Sequence, residues 1–176
     1  MTIIQHLDER ILFFFQSIRC EPLTLFFSLF IKLEFWDIIA VLLIVYFYLK
    51  DKKLKIPVIS YVLAWNGAFF FFNILKDYFH RPRPFLTVKG LTAVITPHGF
   101  SMPSGHATMA MAMVIVLGYH FPKARIMILM MGLLMGLSRL YLGVHYPSDV
   151  MVGFLLGALV GILSLILEKL ILKVNV

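Results

Sequence analysis

Residues 146–167 read YPSDVMVGFLLGALVGILSLIL, and the run from Val150 to Leu167 carries no charge at all. A hydrocarbon layer about 30 Å thick takes ~20 apolar residues at 1.5 Å each, so this run has the length of a membrane crossing. The same test, carried outward, finds Ile126 to Leu142, Ser104 to Phe121 and Ile56 to Leu75. Phe35 to Leu49 is a shorter fifth run, extendable through the apolar residues before Glu34. Hydrophobic residues make up 61% of the 176, charged residues 14%, and mean hydropathy is +0.92. A water-soluble domain is nearer half apolar and a quarter charged, and a disordered chain has the opposite balance. The fold class that follows is an all-α integral membrane protein, a bundle of five to six transmembrane helices in one domain over residues 1–176.

Toward the N-terminus the pattern changes. Leu7, Ile11, Phe14, Phe15 and Ile18 recur at helical spacing, which predicts an amphipathic helix over Ile3 to Ile18. It reads as a helix lying in the membrane interface, or as one arm of a shallow hairpin with Leu23 to Leu33. The opening residues lack a basic start, so no cleaved signal peptide is expected. The lone Cys20 excludes an intrachain disulfide and a cysteine-based zinc cluster. The six histidines show no His-x-x-x-His spacing, so neither a metal nor a cofactor is expected.

The net charge of +7 reads as membrane topology before nucleic-acid binding. Lys50, Lys52, Lys53 and Lys55, then Lys123 with Arg125, then Lys169 with Lys173, fall on one face when the spans are counted. The positive-inside rule makes that face cytoplasmic. Lys76, Arg81, Arg83, Lys89 and Arg139 fall on the other face and ask for a different role. Pro82, Pro84, Pro97 and Pro103, with Gly90 and Gly99, mark 80–103 as a loop, with room for a short interfacial helix near Val88 to Ile95. Gly132, Gly136, Gly153, Gly157 and Gly161 predict close helix contacts.

Three polar clusters gather at the second face. They are Lys76 to Pro84 (KDYFHRPRP), Ser101 to His106 (SMPSGH) and Ser138 to Asp149 (SRLYLGVHYPSD). Singly, each has a bland reading: Lys76 and Arg83 as interfacial anchors, Pro-Ser-Gly-His as a capped helix start, His145 with Asp149 as a turn-to-helix pair. Together they suit phosphoryl transfer. Lys76, Arg83 and Arg139 can surround the non-bridging oxygens of a phosphate. Ser104 and Gly105 open a helix, where backbone N–H groups lack intrahelical partners and favour an anion. Asp149, one helical turn after His145, can take one ring N–H and leave the other nitrogen to attack phosphorus. His106 can then protonate the leaving oxygen. His80 and Arg81 read as contacts to lipid headgroups or the substrate periphery, and His98 and His120 as bystanders.

These clusters resemble the type-2 phosphatidic acid phosphatase family, which also includes vanadium haloperoxidases and bacterial acid phosphatases. Its pattern is a Lys, six residues, then Arg-Pro; Pro-Ser-Gly-His; and Ser-Arg, five residues, His, three residues, Asp. Lys76, Arg83, Pro84, Pro103, Ser104, Gly105, His106, Ser138, Arg139, His145 and Asp149 match every specified position, so the motif core is 76–149. The resemblance implies His145 as nucleophile, His106 as general acid, and Asp149 as the partner of His145. It also implies phosphate held by Lys76, Arg83, Ser104, Gly105 and Arg139, without a metal. The expected partner is a lipid phosphate in a cell (inner) membrane, with no nucleic acid and an unspecified oligomeric state. Candidate substrates are a polyprenyl diphosphate, phosphatidylglycerol phosphate, phosphatidic acid or a lipid A phosphate. A lipid phosphotransferase and a non-catalytic membrane homologue are the rival readings.

Overall fold

The computed structural model describes residues 3–32 and 55–174. Along the chain run α1 (Ile3–Ser17), α2 (Glu21–Lys32), α3 (Lys55–Phe79), the short α4 (Pro84–Thr87) and α5 (Gly105–His120). A 3₁₀ turn (Pro122–Ala124), α6 (Arg125–Tyr141) and α7 (Pro147–Val174) complete it. Three stretches, Val58–Thr87, Pro122–Tyr141 and Pro147–Lys173, are long and apolar enough to cross a membrane. The 16-residue α5 is shorter, but it sits between α3, α6 and α7 and packs on all three. The expected crossing from Phe35 to Leu49 lies outside the described residues.

Small residues hold the bundle together, because lipid tails offer no hydrophobic drive and helices gain by close approach instead. Gly153, Gly157 and Gly161 put a bare stripe of α7 against α5. A Cβ on Gly153 would stand 2.7 Å from the Ser104 carbonyl oxygen, and one on Gly161 2.8 Å from Ile115 Cβ. On Gly157 it would run into the Thr108 carbonyl. Gly132 and Gly136 give α6 the same intimacy with Val114 and Phe154. The glycine spacing therefore predicts these contacts correctly.

A polar cluster ties three helix ends together at the face away from the loops. His120 Nε2, at the end of α5, lies 2.9 Å from Glu168 Oε2 of α7 and 3.1 Å from Ser60 Oγ of α3. Lys169 Nζ stands over the Tyr119 ring beside it. His120 is thus a tie between spans and not a bystander. With these three ends on one face, the end of α3 and the starts of α5 and α7 share the other, as span counting expects.

The N-terminal helix forms, but its apolar stripe points the other way from a soluble protein's. Leu7, Ile11, Phe14 and Ile18 are exposed, whereas Asp8 and Leu12 are buried against the bundle. Periodicity locates an apolar stripe without saying whether protein or lipid covers it. The loop helix is also displaced from its predicted place. It occupies Pro84–Thr87 and not Val88 to Ile95, because Pro84 supplies the preset φ and missing N–H of a first helical position.

Candidate active site

Lys76 lies in the last turn of α3, half-buried. The chain leaves that helix through His80, whose φ is 47°, and reaches Arg83 in extended conformation, as a residue before proline must be. Arg83 is buried, and its guanidinium knits the loops around the site. Nε donates to Gly99 O (2.9 Å), Nη2 to His98 O (3.0 Å) and Nη1 to Val144 O (3.0 Å). Nη1 also lies 3.3 Å from His145 Nε2. Four of the five guanidinium hydrogens are engaged in this way, leaving one Nη2 donor for a ligand.

Arg139 comes from the last turn of α6 and is 2% exposed. Among the described residues, its side chain makes polar contacts with Ser138 Oγ at 3.1 Å and the Met135 sulfur at 3.5 Å. Among the described residues, no carboxylate pairs with Lys76, Arg83 or Arg139. Buried cations without a counter-ion are costly, so this pocket is built to receive an anion. His106, exposed in the first turn of α5, faces the same space. Arg139, Lys76 and Arg83 are cations near enough to act on its ring.

His145 sits in the turn between α6 and α7 and is buried. Burial, with the charges of Arg83 and Lys76 added, lowers its pKa to about 4 against the opposing pull of Asp149. The ring is therefore neutral at pH 7. Its Nδ1 lies 3.6 Å from Asp149 Oδ2, too long for a hydrogen bond, and is buried without a partner. Asp149 is fully buried. Its Oδ2 accepts the Tyr146 N–H at 2.8 Å, and its Oδ1 the Arg81 Nη1–H at 2.7 Å.

The Pro-Ser-Gly-His turn departs from expectation in two details. The Ser104 N–H donates to the Asp149 carbonyl at 3.0 Å, so it welds α5 to α7 and cannot face a phosphate. Ser104 Oγ, buried and unpartnered, and the first-turn amides of Gly105 and His106 are what remain for a ligand. At Gly105, the space left by the absent Cβ is taken by the Phe72 ring, 3.0 Å away, and not left to a ligand.

Sequence reasoning missed two participants. Arg81 does not reach outward to headgroups: it bridges Asp149 and, through Nη2 at 2.8 Å, Asp8 of α1. Asp8 is 3% exposed, and an acid on an amphipathic helix in a chain with an excess of cations was the available signal. His98 contributes its carbonyl to Arg83, and His80 packs its ring on Phe100.

A counter-ion-free cationic pocket beside a buried histidine–carboxylate pair, at one end of a membrane bundle, defines a helical membrane enzyme that handles an anionic group. The PAP2 superfamily model matches residues 57–171, and the chain belongs to that superfamily. Its structure is similar to that of Aquifex aeolicus LpxE, with TM-score 0.79, 28% identity, and 94% of this chain and 96% of that one covered. It is also similar to a transmembrane PAP2 type phosphatidylglycerolphosphate phosphatase from Bacillus subtilis. There the TM-score is 0.77, the identity 25%, and the coverage 96% of this chain and 88% of that one. No curated protein sequence matches the chain. Family and neighbours together make this a membrane lipid phosphatase.

Proposed function

We propose that the chain hydrolyses a phosphomonoester or pyrophosphate of a membrane lipid through a phosphohistidine on His145, without a metal. The observation that carries this reading is the trio Lys76, Arg83 and Arg139, which has no carboxylate partner among the described residues and of which Arg83 stands 3.3 Å from a neutral, buried imidazole. The phosphate oxygens lie among the three cations, Ser104 Oγ and the Gly105 amide, which stabilise charge as it develops. His145 Nε2 attacks phosphorus in line while the bond to the leaving oxygen breaks. Protonated His106 supplies the proton that oxygen takes. His145 Nδ1–H, facing Asp149, gains positive charge in this step, and the carboxylate stabilises it. In the second half, neutral His106 takes a proton from water, whose oxygen attacks phosphorus. The N–P bond breaks, inorganic phosphate leaves and His145 is neutral again.

The lipid chain stays among the helices while the headgroup enters from the loop face, and the basic turn at Lys123 and Arg125 on the opposite face supports reading the loop face as extracytoplasmic. Phosphatidylglycerol phosphate is one substrate to test, since the similar Bacillus subtilis protein is a phosphatidylglycerolphosphate phosphatase. Polyprenyl diphosphate, phosphatidic acid and phosphorylated lipid A are the others. Purified protein in mixed micelles, assayed for free phosphate on each of these, tests the reading. Release from at least one of them, lost in His145→Ala, is the expected result. Transfer of phosphate to an acceptor lipid without free phosphate indicates a phosphotransferase, and no turnover of any of them refutes the reading.

A further inference from the structure

Outside the pocket, the ion-paired chain Asp8–Arg81–Asp149, with both carboxylates buried, links the N-terminal helix to the histidine's carboxylate. From it we infer that Asp8 is a positioning residue for the hydrolysis, acting through Arg81 and the first turn of α7 to hold Asp149 toward His145. This inference rests on the phosphatase reading above.

Asp8 makes two kinds of contact at once. Its Oδ1 accepts the Ser148 N–H at 2.9 Å, and its Oδ2 takes the Ser148 hydroxyl and the Arg81 Nη2–H. Ser148 is the second residue of α7, where an N–H has no acceptor within its own helix. Such an amide is normally capped by the side chain just before the helix, but that residue is Tyr146, which has no suitable acceptor there. Asp8 caps the helix from another one. Asp149 completes the arrangement by reaching back to the Tyr146 N–H, as the third helical residue does in a capping box.

The consequence falls on Asp149. Arg81 Cζ stands over the Tyr146 ring, 3.8 Å from its centroid, with one arm on Asp8 and the other on Asp149 Oδ1. Divided between two carboxylates, the guanidinium takes one oxygen of Asp149 and leaves Oδ2 for Tyr146 N–H and the His145 side. Without Asp8, the fork can close on both oxygens of Asp149, the geometry that Arg–carboxylate pairs favour. Oδ2 would then turn from His145. Since Asp8 is 73 residues from Arg81 in the chain, the docking of α1 becomes part of the site's assembly.

The test compares Asp8→Asn, which keeps the shape and removes the charge, with Gln16→Ala. Gln16 also docks α1, through Gly90 O and Thr92 N, but does not touch Arg81. Turnover on a lipid phosphate that the wild type hydrolyses is measured for both, with melting in detergent. Asp8→Asn is expected to lower kcat by ~10–100-fold, the scale of a small misplacement of reacting groups, with KM changed less than about threefold. Gln16→Ala is expected to lower melting and leave kcat within about twofold. In an Arg81→Gln background, Asp8→Asn is expected to add little, because residues acting as a unit are not additive. Asp8→Asn with wild-type kcat overturns the inference, as does an equal loss in Gln16→Ala or full additivity with Arg81→Gln. A wild type inactive on every lipid phosphate fails the underlying reading instead, and the inference falls with it. If Asp8→Asn does not fold, Asp8→Glu is judged by the same kcat and KM criteria.

Discussion

Gly153→Ala tests whether the weld between α5 and α7 sets the geometry of the pocket. The added Cβ would stand 2.7 Å from Ser104 O, 3.0 Å from Ala107 Cβ and 3.3 Å from Thr108 N, where ordinary contact begins at 3.4 Å. The closest obstacle is a backbone carbonyl, which cannot swing aside as a long side chain can. The helices must therefore part locally by about 0.7 Å, the shortfall at Ser104 O. Overpacking of this kind costs ~1–3 kcal/mol. It also moves Ser104 and His106, on α5, away from Asp149 and His145. A displacement near 1 Å is worth up to ~10²-fold in rate, so turnover is expected to fall ~10–100-fold. Gly118→Ala is the comparison: its Cβ would meet only Arg125 Cγ, at 3.5 Å, and a helical Gly→Ala change gains ~0.5–1 kcal/mol. Phosphate release and melting of both variants in the same detergent decide the matter. If Gly153→Ala matches Gly118→Ala in rate and melting, the pocket does not depend on this contact and the reasoning fails.

The acid limb of kcat/KM belongs to His145, which must be neutral to attack. With the pKa of His145 at about 4, no loss of rate on the acid side is expected until the pH nears that value. An acid limb near 6.5, the unperturbed value, would show that burial does not hold the ring neutral. Treatment with EDTA is expected to leave the rate intact, and loss restored by a divalent cation would contradict the charge role of Lys76, Arg83 and Arg139. In a Cys20→Ser background, Lys89→Cys is expected to react with an impermeant thiol reagent in intact cells, and Lys123→Cys only after lysis. The reverse pattern would place the pocket on the cytoplasmic side.

Much of this architecture is readable from residue order because the bilayer imposes a length on every crossing and leaves few places for polar clusters. The runs behind α3, α6 and α7 and the three motif clusters are of this kind. What escapes is decided through space. Nothing near Asp8 in sequence announces Arg81, and Arg81 looks like any basic residue at a membrane edge. The apolar stripe of α1 is visible, but not that it faces outward, since lipid and protein interior select the same side chains. The Ser104 amide is equally deceptive. A helix start advertises unpaired N–H groups, and only the packing of α7 shows that one is taken by the Asp149 carbonyl.

The central claim is the covalent step at His145, and the most direct measurement is to catch it. Wild-type protein is mixed with a hydrolysed lipid phosphate and quenched within a turnover under alkaline denaturing conditions, which spare phosphohistidine. Its peptides are then mapped by mass spectrometry. The account predicts a phosphoryl group on His145, absent from His145→Ala, which releases no phosphate. Sustained phosphate release by His145→Ala, or a phosphoryl group trapped on another residue, would contradict it.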